Sequence, residues 1–226
     1  MIVQEPPYDL VALFSDLEMQ KLFEALIERG QAQGRDCTRP FRWRSLRDPR
    51  RDTVWRQPEA SLLPFLRTDC RFLILWDHHG SGREELEPSR AEERVAERLE
   101  SAGVIRDRIL AVAFDPELEC LFRRIWPRIK ELIAAERGGA VPENAEVLAE
   151  AHRSHPDLRI AQPFEDVLSS NPKELFEALV RLMRLRRTAP LYEKIGAQVS
   201  LQGVKREEAA LRIAKAISAW LPPESL

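Results

Sequence analysis

Cysteine and histidine are scarce in this chain of 226 residues, which has three cysteines and four histidines. The cysteines are odd in number, widely spaced and without a Cys-x-x-Cys pair: Cys37, Cys70 and Cys120. Neither a disulfide framework nor a structural zinc site is therefore expected. Because disulfides persist in oxidising compartments, this cysteine usage favours a reducing one.

Long apolar runs are also missing. No segment approaches the ~18–20 apolar residues of a membrane span, and residues 1–16 have no basic start and only a short apolar stretch. We therefore expect a cytoplasmic protein with no membrane partner. The chain has no P-loop, Gly-x-Gly-x-x-Gly turn, His-Glu-x-x-His helix or Gly-x-Ser-x-Gly elbow, so the nucleotide-binding and hydrolase classes that depend on them lose their main support.

The chain also lacks a strong excess of either positive or negative residues. The 35 basic residues nearly balance 37 acidic ones, for a net charge of −2. This balance excludes a nucleic-acid binder that relies on net positive charge, but it leaves room for local basic patches. A hydrophobic fraction of 44% over this length is enough for one well-packed domain, or for a main domain with a smaller appendage.

Four segments have the character of strands, and each is followed by a helical pattern. Three are continuous apolar runs typical of buried parallel strands, whereas the second alternates aromatic and arginine residues and is predicted to be an exposed edge strand. The strands are predicted over 9–16, 37–47, 71–77 and 109–115, and the helices over 17–29, 58–66, 89–100 and 116–136. This alternation predicts an α/β fold with a mainly parallel four-stranded sheet flanked by helices.

The strand signals stop after Gly138 and Gly139. Helices are predicted beyond them over 143–152, 172–185, 190–197 and 204–221, with residues 153–170 as a linker or loop. We therefore predict an α/β core over 1–140 and a helical extension packed on that core over 141–226.

Acidic residues follow three of the four predicted strands: Asp16, Asp77 and Asp115. Because the carboxyl ends of parallel strands meet at one edge of a sheet, these acids should gather there, joined by Glu117 and Glu119. Gathered carboxylates repel one another unless a cation neutralises them, and their oxygens suit Mg²⁺ or Mn²⁺. The alternative is that the aspartates cap helices and the glutamates favour a first helical turn.

Several short motifs resemble those of Toprim domains, which occur in primases, topoisomerases and nucleases. A strand ending in an acid, followed by a later strand ending in Asp-x-Asp, is the general pattern. FDPELECLF, NPKELFEAL and LYEKI resemble the Pro-Glu-Leu-Glu, Pro-Lys-Glu and Tyr-x-Lys motifs of a Toprim-like group of uncharacterised prokaryotic proteins. That group often lies beside phage-defence genes, and the resemblance implies a Toprim-like, Rossmann-like fold.

The chain departs from the family pattern at two places. Glu-Gly is expected after the first strand, where this sequence has Ser15-Asp16 and then Glu18. The second acid of Asp-x-Asp is replaced by His79, which follows Asp77-His78. An imidazole ligates transition metals well and Mg²⁺ poorly, so the site either prefers Mn²⁺ or has lost Mg²⁺ chemistry.

For an active site, the resemblance implies a divalent metal, Mg²⁺ or Mn²⁺, acting on a phosphodiester. Its candidate ligands are Asp77, Asp16 and either His79 or Glu117, with Glu119 adding negative charge. The candidate general base is Glu18 or His78. The implied function is a metal-dependent nuclease or phosphotransferase in an anti-phage defence system, with nucleic acid and other defence proteins as partners. The alternative is a catalytically inactive Toprim-like module for binding or assembly.

Arginine is concentrated between residues 39 and 56, interleaved with Phe41, Trp43 and Trp55. Cationic side chains contact phosphates and aromatic faces stack on unpaired bases, so this segment is a candidate nucleic-acid surface. The candidate nucleic-acid contacts in this segment are Arg42, Arg44 and Arg47. Lys173, of the Pro-Lys-Glu motif, is a further candidate contact. The alternative is an edge strand whose charges prevent aggregation, with the tryptophans packed on the sheet.

Overall fold

The computed structural model places most of the chain. The described residues are 8–33, 41–48, 50, 53–82, 84–158, 162–204 and 207–221. Arg39 and Arg51 of the arginine-rich segment, and Cys37, lie outside them.

A four-stranded sheet forms the centre of the fold, and all of its pairings are parallel. Its strands are β1 (Leu10–Phe14), β2 (Trp43–Arg47), β3 (Arg71–Asp77) and β4 (Ile109–Phe114), in the order β2-β1-β3-β4. Leu10 pairs with both Trp43 and Arg71, and Phe72 pairs with Ile109. The predicted α/β class and parallel sheet are confirmed, and β2 lies at one edge as predicted.

Helices cover both faces of this sheet. Within the described ranges they are α1 (Leu17–Gln33), α2 (Thr53–Arg56), α3 (Pro58–Leu62), α4 (Pro88–Ser101), α5 (Trp126–Arg137), α6 (Asn144–Ser154), α7 (Phe164–Ser170), α8 (Pro172–Leu182), α9 (Ala189–Gln198), α10 (Leu201–Val204) and α11 (Glu208–Trp220). Two 3-10 helices span Arg106–Arg108 and Leu118–Ile125. None of the helices in these ranges is both long and apolar enough to cross a membrane.

Two hydrophobic clusters lie on opposite faces of the sheet, because successive strand residues point to opposite sides. Leu10, Ala12 and Phe14 belong to a cluster that also contains side chains from α1, α5, α8, α9 and α11. Val11 and Leu13 belong to the other, which is covered by α2, α3 and α4. Apolar side chains from before and after residue 140 belong to the first cluster. The division of the chain into a core and an extension at residue 140 stays a prediction.

The free edge of β4 is covered by a charged pair. Glu92 of α4 accepts the backbone N–H of Ala113 at 2.9 Å, and Arg212 of α11 donates to Glu92 at 2.7 Å and to the Ala111 carbonyl at 3.2 Å. These contacts satisfy backbone groups that an uncovered edge strand exposes. In the sequence, Ser89 and Glu92 have the spacing of a capping box. In the structure α4 begins one residue before Ser89, at Pro88, and Glu92 is buried.

Two helix predictions need correction. The helix expected to start at Pro116 starts at Leu118, because the Leu118 N–H is taken by the Asp77 carboxylate at 2.7 Å while Glu117 remains extended. The segment 153–170, predicted to be a loop, contains α7, whose Val167 is fully buried. Its apolar residues are too few to reveal a helical period in the sequence.

Candidate functional site

A cavity of about 270 Å³ opens at the carboxyl ends of β1 and β3. Its lining comes from β3, from α1, α2 and α8, and from the segments that follow β1, β3, β4 and α8. Its charged members are Asp16, Glu18, Asp77, Glu117, Lys173 and Arg187. Functional groups of open parallel sheets collect at this edge, and five of these six residues were candidates from the sequence.

Asp16 and Asp77 reach the cavity from neighbouring strands, each held by a backbone amide. Asp16 Oδ1 accepts the N–H of Met19 at 2.8 Å, as a helix cap does. Asp77 Oδ1 accepts the N–H of Leu118 at 2.7 Å. Both aspartates therefore act as caps and as cavity residues, so the two interpretations of the sequence do not exclude each other.

The electrostatic environment of Asp77 is unfavourable for its charge. Burial raises the pKa of this carboxyl well above its ordinary value, and the negative charges of Glu119, Asp16 and Glu117 raise it further. The hydrogen bond from Leu118 acts in the opposite direction. These carboxylates therefore disfavour one another's ionised form, and a cation bound beside Asp77 would offset that repulsion.

Glu117 is already partnered by a lysine from the carboxyl-terminal helices. Lys173 Nζ donates to Glu117 Oε1 at 2.6 Å, and both side chains are partly buried. Burial lowers the pKa of Lys173, but the hydrogen bond and charge of Glu117 more than offset it, so that the pKa is raised. The lysine of the Pro-Lys-Glu motif thus reaches the acidic edge of the sheet and remains protonated there.

Glu119 does not line the cavity. Its side chain is 0% exposed, accepts a hydrogen bond from the Tyr192 hydroxyl and pairs with Arg187 at 3.1 Å. Arg187 also donates to the Tyr192 oxygen at 2.7 Å and to Glu177 at 3.0 Å. Burial raises the pKa of Glu119, and Arg187 and Tyr192 only partly oppose that shift. This network fixes Arg187, which lines the cavity from the other side.

The two adjacent histidines have different environments. His78 is 4% exposed and does not line the cavity, whereas His79 is exposed and does. Backbone pairing continues past β3, since His78 N–H donates to the Phe114 carbonyl at 2.8 Å. His79 lies in the turn that follows β3, and this turn brings it to the cavity that Asp77 also lines. The proposed roles of both histidines stay predictions.

The arginines of β2 lie away from this cavity. Arg42, Arg44 and Arg47 are exposed along the edge strand. Phe41 and Trp55 are buried in the two hydrophobic clusters, so their faces are not open to unpaired bases. The burial of Phe41 and Trp55 agrees with the alternative interpretation, in which the aromatic side chains of this segment pack on the sheet. Binding of nucleic acid through Arg42, Arg44 and Arg47 stays a prediction.

Three residues of this edge had not been identified from the sequence. Arg187 lies in an arginine-rich loop that offers no signal to single it out. Trp76 lies within the apolar run of β3, yet it lines the cavity, and its buried indole Nε1–H has no hydrogen-bond partner among the described residues. Asp48, 1% exposed, directly follows β2, so an acid lies at the carboxyl end of this strand, as at the ends of the other three.

The lining of the cavity carries more negative than positive charge. Four carboxyl groups face one lysine and one arginine, which gives an excess of two negative charges when all four carboxyl groups are ionised. Within the part of the chain that the structure describes, no three His, Cys, Asp or Glu side chains form a metal-holding group by themselves. Mg²⁺, however, commonly binds through one or two carboxylates and takes its other ligands from water and substrate phosphates. Asp16 and Asp77 fit such a site.

Comparison of the chain with protein-family models, curated proteins and solved structures found no match. The Toprim-like resemblance of its motifs therefore stays a prediction, and the function is argued from the cavity.

Proposed function

We propose that the cavity binds one Mg²⁺ or Mn²⁺ ion between Asp16 and Asp77 and that the chain acts with this ion on phosphodiesters. The observation that carries the proposal is that Asp16, just after β1, and Asp77, at the end of β3, line one cavity in which four carboxyl groups face one lysine and one arginine. A divalent cation balances this excess of acidic groups, and hard oxygen donors suit it.

Held by Asp16 and Asp77, the cation would polarise a phosphoryl oxygen and would lower the pKa of an attacking water. Lys173 and Arg187 line the same cavity and offer N–H donors to the non-bridging oxygens of a phosphate. Glu18, in the first turn of α1, is the carboxylate that accepts the proton of the attacking water. His79 at the exposed side is a second donor for Mn²⁺.

The same proposal makes the chain a component of a prokaryotic anti-phage defence system. Its support is the resemblance of the Pro-Glu-Leu-Glu, Pro-Lys-Glu and Tyr-x-Lys motifs to the Toprim-like group. Two of the motif residues, Glu117 and Lys173, are joined at 2.6 Å beside the cavity. The proposal makes the chain a nuclease component that works with other proteins of such a system.

A second candidate is a catalytically inactive module for binding or assembly. The observation that favours it is the Lys173–Glu117 pair, because an ammonium group already neutralises one acid of the cavity. In this case the cavity lining serves to fix the carboxyl-terminal helices on the sheet, and nucleic acid or protein partners bind elsewhere.

A cleavage assay separates the two candidates. Single-stranded and double-stranded DNA and RNA are incubated with the protein in Mg²⁺ or Mn²⁺, and Asp77→Asn is compared with Asp115→Asn. Asp115 is an exposed acid that follows β4 and does not line the cavity, so it is the matched control. The nuclease proposal expects cleavage by the wild type and Asp115→Asn but not by Asp77→Asn. No metal-dependent cleavage of any substrate would establish the inactive module instead.

A further inference from the structure

A second, larger depression of about 580 Å³ lies beside the acidic cavity, between α2 and α3 on one side and α4 on the other. Trp55 of α2 lines both of them. The cavity and this groove are therefore neighbours that share Trp55 as a wall residue. We refer to it below as the α4 groove.

The α4 groove is basic where the cavity is acidic. Three arginines line it, Arg56, Arg94 and Arg98, against Glu59 and Glu97. Glu59 is engaged by Arg98, whose Nε donates to it at 3.2 Å. Arg94 is exposed on α4 and forms no ion pair with any residue in the part of the chain that the structure describes. The groove therefore presents guanidinium groups to an anion.

The floor of the α4 groove is partly apolar. Leu86 and Ala91 contribute to its lining, and the Arg56 guanidinium lies 4.7 Å from the centre of the Trp55 ring. Pockets of roughly 300–1,000 Å³ that combine apolar walls with a few charged groups are the size that holds a small organic molecule. A nucleoside with its flanking phosphate has this mixture of an aromatic base and an anion.

We infer that the α4 groove holds the nucleoside next to the phosphodiester bound in the acidic cavity, and that the ligand is a single-stranded nucleic acid. This inference rests on the proposed function, because it assigns the groove to the same substrate. A base enters such a groove only when it is unstacked and unpaired, which a duplex does not offer without extrusion. Arg94 then contacts the phosphate backbone on the side away from the metal.

Binding without metal tests the α4 groove independently of the cation. A fluorescein-labelled single-stranded oligothymidylate of about 12 nucleotides, within the length that single-strand binding modules cover, is titrated with protein in EDTA at low salt and followed by anisotropy. The variants are Arg94→Glu and Arg90→Glu. Both arginines are exposed on α4 and receive the same change of charge, but Arg90 does not line the groove.

The inference expects Arg94→Glu to weaken binding about tenfold and Arg90→Glu by less than about twofold, since only the former reverses a phosphate contact. A duplex of the same length should compete poorly. Equal losses in the two variants, no binding of the single strand at low salt, or equal binding of the duplex would overturn the assignment of the groove. These outcomes do not depend on cation binding by Asp16 and Asp77, because the oligonucleotide is titrated in EDTA. Failure of the groove assignment can therefore be told apart from failure of the proposed function.

Discussion

Lys173 Nζ lies 2.6 Å from Glu117 Oε1 and donates a hydrogen bond to it. This contact joins α8, in the carboxyl-terminal part of the chain, to the segment that follows β4. It brings a positive charge to an edge of the sheet where acids from three segments meet. The carboxyl-terminal helices are thus part of the cavity as well as of the core.

Removal of the lysine charge should strengthen cation binding. In Lys173→Gln, Glu117 loses its partner and the cavity becomes more negative, so Mn²⁺ should bind about fivefold more tightly, equivalent to about 1 kcal/mol for a partly exposed ion pair. Titration calorimetry measures this change. Lys194→Gln is the control, because Lys194 pairs with Glu136 outside the cavity. Weaker Mn²⁺ binding in Lys173→Gln would mean that the lysine supports the site in another way.

The Tyr192 hydroxyl should stabilise the fold. Tyr192→Phe leaves the buried Glu119 carboxylate and Arg187 each without one hydrogen-bond partner, so we expect a loss of about 1–3 kcal/mol in the free energy of unfolding. Urea unfolding at neutral pH measures it. Tyr8→Phe is the matched control, since Tyr8 is the other of the two tyrosines and is only partly buried. Equal effects of the two substitutions would contradict the account of the Glu119 network.

The raised pKa of Asp77 predicts a pH dependence of stability. In the folded state its pKa lies well above the ordinary 3.8, so between these two values the folded state holds more protons than the unfolded one. Stability contributed by this group therefore falls as the pH rises through that window. The asparagine side chain of Asp77→Asn cannot ionise. In metal-free buffer at the upper end of the window, the free energy of unfolding of this variant should therefore exceed that of the wild type by about 1–3 kcal/mol.

Urea unfolding in EDTA over a range from about pH 5 to about pH 8 measures this difference. The gap between Asp77→Asn and the wild type should widen as the pH rises, whereas Asp115→Asn, at an exposed acid, should follow the wild type. A gap that is constant with pH, or a variant less stable at the upper end, would show that the Asp77 charge is well accommodated.

Much of the fold was predictable from local patterns. The three apolar runs became β1, β3 and β4 because a strand buried on both faces needs apolar residues at every position. The start of α8 was also predictable, since Asn171-Pro172 is a strong helix start. The late start of the helix after β4 was not, because it depends on a hydrogen bond from Leu118 to Asp77, 41 residues earlier.

The candidate site was predictable only in part. Asp16 and Asp77 followed from their places at the ends of apolar runs, and Lys173 from its motif. The sequence could not separate the buried His78 from the accessible His79, because both lie in the turn after β3, where strand alternation no longer applies. Arg187 could not be singled out, because its place at the cavity depends on the packing of the loop between α8 and α9 through Tyr192.

The contact of α1 with α9 should tolerate no side chain at Gly196. A Cβ there would lie 2.4 Å from the Leu22 carbonyl oxygen, a backbone atom, so Gly196→Ala should lower the free energy of unfolding by about 1–3 kcal/mol despite the better helix propensity of alanine. Thermal and urea unfolding measure the loss. Gly139→Ala is the control, because its Cβ meets only the flexible end of Met183. If Gly196→Ala is as stable as the control, the two helices are packed less closely than described.

The central claim is that Asp16 and Asp77 bind a divalent cation, and titration calorimetry with Mn²⁺ tests it most directly. We expect one Mn²⁺ per chain in the wild type and in Asp115→Asn, and a loss of at least about tenfold in affinity for Asp77→Asn, which removes one of the two charged ligands. Asp77→Asn should remain folded at neutral pH, so lost binding cannot be attributed to unfolding. A wild-type protein that binds none of Mg²⁺, Mn²⁺ and Zn²⁺, or an Asp77→Asn variant that binds Mn²⁺ as tightly as the wild type, would contradict the claim.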